Sequence, residues 1–252
     1  MDRVRLLKSR LQAIADSLKQ DPNGLGLLGL GSAGKEIARL DIYSDLDFFA
    51  IVRKGHKQAF INDLDWLSST QEIAWYFRNT ADGYKLLFSD GVFCEFAIFE
   101  PGELAAIPYS PGHFIWKDAS LPEHLCRPVI AAPEPSGDEA FLLGELLTNL
   151  YVGLCRFRRG EKCSAMRFIQ VYALDRLIGL LDMHSQTVHD NYRDGFCPDR
   201  RVEQRHPEFQ DLLLSCTQGA EKCPESAQAM LDFVKRHFSV NETLAHEIRR
   251  LI

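Results

Sequence analysis

The chain has 252 residues, of which 46% are apolar and 25% charged, with a formal net charge of −6. That balance is ordinary for a folded protein and excludes disorder, collagen-like repetition and low-complexity structure. The acidic sign counts against long nucleic acid as a partner, because such binding rests on many phosphate contacts from a basic face. A small-molecule acceptor suits it better, cationic ones included, as does a nucleotide held through a metal.

At roughly 150 residues per domain, the length predicts one large domain or two modest ones. No run approaches the ~18 uninterrupted apolar residues of a membrane span, so no membrane partner is expected. The first twenty residues are charged at every turn and do not read as a signal peptide. Seven cysteines, an odd number with no Cys-x-x-Cys pair, point to a reducing, cytoplasmic location rather than a disulfide framework.

In chain order, the N-terminal segment predicts an amphipathic helix with Val4, Leu7, Leu11, Ile14 and Leu18 on one stripe. Strands are predicted at 25–30, 46–52, 72–78, 84–88 and 92–99. The last two flank Ser89-Asp90-Gly91, a hairpin signal, and make the sheet at least partly antiparallel. Asp90 itself reads as a turn residue. Prolines and a glycine break the chain at 131–139, where Ser136 stands three residues before Glu139 and predicts a capping box. Helices follow at 142–157 and 164–184, and Pro207 and Pro224 each precede another. The expected architecture is α+β, with a catalytic domain over 1–132 and an antiparallel helical bundle over 138–252.

The informative stretch begins at Gly24 and runs through Gly29, Gly31, Ser32, Gly34 and Lys35 to Asp45 and Asp47. Gly29-x-Gly31-x-x-Gly34 fits a dinucleotide fingerprint, but that fold places an acid at the carboxyl end of its second strand. Here the acids precede the apolar run, and the 13 residues from Ser32 to Asp45 are short for a parallel crossover. A Walker loop fails at Glu36, where Ser or Thr is needed for magnesium. The third template is Gly-Ser after a strand, a short helix, then Asp-x-Asp opening the next strand, and no part of it is missing. Alternation puts Asp45 and Asp47 on one face, roughly 6.6 Å apart along the chain, where they can hold one or two magnesium ions. Gly31 lets backbone approach a phosphate, and Ser32 and the amides of a helix start can bind it. Glu95 is the one charge in the strand 92–99 and reads as a buried carboxylate in need of a partner, which a shared metal would supply. The bland alternatives are a solvated strand start for the aspartates and a solvent-facing position on an edge strand for Glu95.

Gly31-Ser32, Asp45-x-Asp47 and Glu95 together resemble the polymerase-β-like nucleotidyltransferases. The runs LGS (30–32), YSD (43–45), CEFAIFE (94–100) and RRGEK (158–162) are most similar to the two-domain lincosamide nucleotidyltransferases. Leu30 departs from that pattern, which often has an aromatic or polar residue before Gly-Ser. The resemblance implies magnesium-dependent transfer of a nucleoside monophosphate from ATP or another nucleoside triphosphate to a small-molecule hydroxyl. It implies that Asp45 and Asp47 hold two Mg2+ ions, that Glu95 is a general base or third ligand, and that Gly31 and Ser32 bind the nucleotide. Lys35, three residues past Ser32, and Ser44 are further nucleotide-binding candidates, with a merely solvated lysine as the alternative for Lys35. It also makes a homodimer plausible. An aminoglycoside acceptor, nucleotidylation of a protein or tRNA end, and a silent nucleotide-binding regulator are the rival readings.

Arg158, Arg159, Lys162 and Arg167 read either as cations at a helix end or as groups reaching a triphosphate. His184, His189, Cys197 and His206 fit no zinc spacing, and Trp116, Phe168 and Tyr172 read as core.

Overall fold

A computed structural model describes residues 2–134, 137–185 and 189–252. The chain divides into two units, Met1–Ala132 and Pro133–Ile252. The fold is α+β: a six-stranded mixed sheet with flanking helices in the first unit and helices in the second.

In the first unit, helix α1 (Arg3–Gln20) starts where the Asp2 carboxylate accepts the Val4 amide. Its buried stripe of Leu7, Leu11, Ile14 and Leu18 is the expected one, with Ala15 and Arg10 added. The strands are β1 (Gly24–Gly29), β2 (Leu46–Val52), β3 (Ile73–Arg78), β4 (Gly83–Phe88), β5 (Phe93–Phe99) and β6 (His113–Lys117). Sequence reading misses β6, a short run just after Pro111-Gly112. The order across the sheet is β3-β4-β5-β2-β1-β6, and β2 and β5 run parallel while the other pairs are antiparallel.

Strands β2, β4 and β5 bury one face completely and the other only in part, while the edge strand β3 is largely exposed on both. Leu46, Phe48 and Ala50 share the first face with Cys94, Phe96, Ile98, Leu86 and Phe88 and pack on α1 and on Phe60, Ile61 and Leu67. These last three come from the short helices α2 (Lys57–Asn62) and α3 (Asp65–Ser68). On the second face Phe49, Ile51 and Phe99 are covered by Leu104, Tyr109, Leu121 and Leu125. That cover leaves out one end of β2, β4 and β5, where Lys85 and Glu95 keep 41% and 44% of their side chains exposed.

In the second unit, α4 (Glu139–Arg158) is capped by Asp138, whose carboxylate accepts the Phe141 amide. The predicted cap, Ser136, lies outside the described residues. By length and composition α4 could cross a membrane. Its Leu142, Leu146, Leu147, Leu150 and Leu154 form the core of the unit. The predicted helix 164–184 is α5 (Lys162–Arg167), a π-helical segment (Phe168–Ala173) and α6 (Leu174–His184). The wide turn turns buried Gln170 toward Gly219 and Ser226; its amide donates to the Gly219 carbonyl at 2.8 Å and its carbonyl accepts the Gly219 amide at 3.0 Å. The rest is α7 (Val202–Arg205), α8 (Gln210–Cys216), α9 (Cys223–His237) and α10 (Glu242–Leu251). Pro207 opens a 3-10 turn before α8, and Pro224 stands inside the first turn of α9 rather than ahead of it.

Candidate functional site

The glycine-rich turn folds back on itself. A Cβ on Gly29 would stand 2.2 Å from the Ala33 carbonyl oxygen, and one on Gly34 would stand 2.0 Å from that of Gly29. These two glycines are therefore demanded by the crossing of the backbone, which accounts for the dinucleotide-like spacing without a dinucleotide. Gly31 has φ +49°, a left-handed conformation that glycine adopts at no steric cost, and opens a 3-10 turn (Gly31–Ala33). The predicted short helix between β1 and β2 is absent: two 3-10 turns, Gly31–Ala33 and Ile37–Arg39, take its place. The first amides of such a turn have no partner inside it.

The turn is tied directly to the acids. The Leu30 amide donates to the Asp47 carbonyl at 2.8 Å, and the closest group to a Cβ on Gly31 would be the Asp47 carboxylate at 3.9 Å. Asp47 and Glu95 are register partners on the parallel strands β2 and β5, and Lys85 is the partner of Glu95 on β4. Register partners share a sheet face, so Asp47, Glu95 and Lys85 form a row across three strands at the uncovered end. Ser32 is buried within the turn, and Asp45 is half-buried just before β2.

Glu95 corrects the expectation of a buried acid: the carboxylate is 44% exposed, as the solvent-facing alternative has it, although β5 lies inside the sheet and not at its edge. Lys85 Nζ stands 3.2 Å from Glu95 Oε2, and Asn79 Nδ2 donates to Oε1 at 3.3 Å. Sequence reading misses both partners. Lys85 has the same signal as Glu95, being the one charge in its own strand.

Two further nucleotide-binding candidates make contacts of their own. The Ser44 hydroxyl donates to Asp41 Oδ1 at 3.0 Å and closes a local turn. Exposed Lys35 lines a separate cavity of about 350 Å³ with Gly34, His113, Cys126 and Arg127. In the second unit, Arg158 donates to the carbonyls of Leu251 and Ile252 at 2.7 and 2.6 Å, and Arg159 pairs with Glu161 at 2.8 Å. Lys162 pairs with Glu221, and Arg167 lies 5.8 Å from the Tyr172 ring. His206 donates to Asp182 at 2.6 Å, and His184 lies 2.7 Å from Glu139.

Chemically, Asp45 and Asp47 supply the hard oxygen donors that magnesium takes. No group of three or more His, Cys, Asp or Glu side chains stands together as a metal set among the described residues. Glu95 is engaged by Lys85 and Asn79. Cys94 is buried on the opposite face, and burial first, with the charges of Asp47 and Asp45 besides, pushes its thiol up.

No protein family matches the chain, and neither does any curated protein. A solved structure that resembles it is an aminoglycoside 6-adenyltransferase from Bacillus subtilis, with 11% identity over 97% of this chain and 90% of that one, at a TM-score of 0.35. At that score the likeness bears on neither fold nor function.

Proposed function

We propose that this chain is a nucleotidyltransferase that moves a nucleoside monophosphate from ATP, or another nucleoside triphosphate, to a hydroxyl of a small molecule. A lincosamide-like antibiotic is the acceptor class we favour. The observation that carries the reading is the in-register pair Asp47–Glu95 beside the Gly31 turn, with Asp45 two residues ahead.

In this reading the open amides at Gly31 and Ser32 take the outer phosphates. Asp45 and Asp47 hold the magnesium ions, which would neutralise charge on the phosphoryl oxygens. Glu95 exchanges Lys85 for the acceptor hydroxyl and takes its proton, a contribution of about 10²–10⁴-fold. The hydroxyl oxygen bonds to the α-phosphorus, the bond to the β-phosphate oxygen breaks, and pyrophosphate leaves with the electron pair.

The test is pyrophosphate release from magnesium-ATP with lincomycin or kanamycin, with mass spectrometry of the drug. A gain of one nucleoside monophosphate is expected, lost in Asp45→Asn and reduced about 10²–10⁴-fold in Glu95→Gln. Full activity in Asp45→Asn would sink the assignment.

A further inference from the structure

The carboxylate row does not stop at Lys85. Phe77 of β3 is the register partner of Lys85, and Trp75 is that of Leu87, so both rings share the face that bears Asp47 and Glu95. The two rings stack on each other with centroids 6.3 Å apart and remain 49% (Trp75) and 55% (Phe77) exposed on the edge strand. Exposed aromatic pairs of this size are costly in water unless something covers them. Asn79, just after β3, already touches Glu95 and fixes this end of the hairpin to the acid.

We infer that Trp75 and Phe77 are the acceptor subsite, a platform for an apolar ring face of the molecule whose hydroxyl meets Glu95. This rests on the transfer reading above. The occupant follows from the register: β3 lies two strands from β5, and neighbouring strands are about 4.8 Å apart, so the platform is about 10 Å from Glu95. That is the span of a small two-ring molecule, with its hydroxyl on one ring and an apolar face on the other. Tyr76, between them, projects to the other face beside Tyr84, with ring centroids 6.1 Å apart, and provides an internal control.

The experiment measures KM for lincomycin and for magnesium-ATP in the unaltered chain, Trp75→Ala, Phe77→Ala, Trp75→Phe and Tyr76→Ala. Loss of either platform ring should raise the lincomycin KM about tenfold and leave the ATP KM in place, since covering part of an aromatic face with apolar surface is worth about one decade. Trp75→Phe should restore most of it, and Tyr76→Ala should change neither constant. A rise in the ATP KM instead would assign the rings to the nucleobase and overturn the acceptor subsite. Unchanged constants with transfer intact would also overturn it, while leaving the transfer reading standing. If they came with a dimer in sedimentation that Trp75→Ala dissociates, the rings would belong to a second copy. Absence of any transfer by the unaltered chain would remove the transfer reading itself, and the subsite with it.

Discussion

The two units each gather a carboxylate and cations, and they do so in opposite ways. In the second unit Asp182 is only 8% exposed and accepts from Arg205 Nε at 2.9 Å, Arg193 Nη1 at 2.9 Å and His206 Nε2 at 2.6 Å. Arg205 and His206 are themselves fully buried. In the first unit Glu95 meets one half-exposed lysine and one amide, on a sheet face the chain leaves uncovered. A carboxylate has about four acceptor positions, and three donors, two of them guanidinium groups, leave Asp182 little to offer a ligand. Glu95 keeps its oxygens within reach of an incoming group. A carboxylate cluster is thus structural or functional according to burial and saturation, not according to how many charges it gathers.

The sharpest way to break this comparison is at Asp182. Asp182→Asn would leave Arg205 buried without its counter-charge, at a cost of about 3–5 kcal/mol, read as a lower urea midpoint. Asp45→Asn, on the open site, should move the midpoint by less than about 0.5 kcal/mol while removing activity. Acid gives a second reading of the same contrast. Burial pushes the Asp182 carboxyl up, but the His206 hydrogen bond and the charges of Arg205 and Arg193 outweigh it and hold it below 3.8. A depressed carboxyl contributes stability that is present above its unfolded value and is lost as pH falls through the folded one. Stability should therefore decline as pH drops below about 4, and Asp182→Asn should flatten that part of the decline.

A smaller effect is expected where α1 meets the β4–β5 hairpin. Arg10 donates to Asp90 Oδ2 and to the Thr70 carbonyl, each at 2.6 Å, and lies 5.0 Å from the Phe88 ring. Asp90 is thus an anchor for the helix as well as a turn residue. Arg10→Ala should cost about 1.5–3 kcal/mol in chemical unfolding, the range for a lost hydrogen bond to a charged group.

Much of this was legible because strands with one buried face advertise themselves. The alternation in LDFFAIV and FCEFAIF gives β2 and β5 directly, and Asp90-Gly91 gives the turn, with Gly91 at φ +83°. That hairpin also carries the register that sets Lys85 opposite Glu95. The lysine was therefore within reach of sequence reasoning, and the expectation of a buried acid overlooked it. The pairing of Asp47 with Glu95 was not legible, since parallel neighbours far apart in the chain leave no local trace of their register. Nor was the π-helical segment, because a wide turn is a response to packing: Gln170 reaches Gly219 and Ser226 through it. The 3-10 turns between β1 and β2 replace a helix for a local reason, since Gly29 and Gly34 cross too closely for a full helical turn to begin there.

The smallest effect is the most discriminating for the open site. Lys85 and Glu95 form a pair at 3.2 Å with both side chains more than 40% exposed. Exposed pairs are worth about 0.2–1 kcal/mol, because water competes for both partners and two long side chains must be held still. Lys85→Gln should therefore lower stability by no more than that, and 1 M salt, where the screening length is about 3 Å, should erase the difference. Arg205→Gln in the buried cluster should keep its several-kcal/mol cost at the same salt, because ions do not enter a dry interior. Equal costs at the two sites, or a salt-independent cost at Lys85, would mean that Glu95 is held as firmly as Asp182. It could not then give up its lysine to a substrate, and the distinction between a structural and a functional carboxylate would fail at the residue where it matters most.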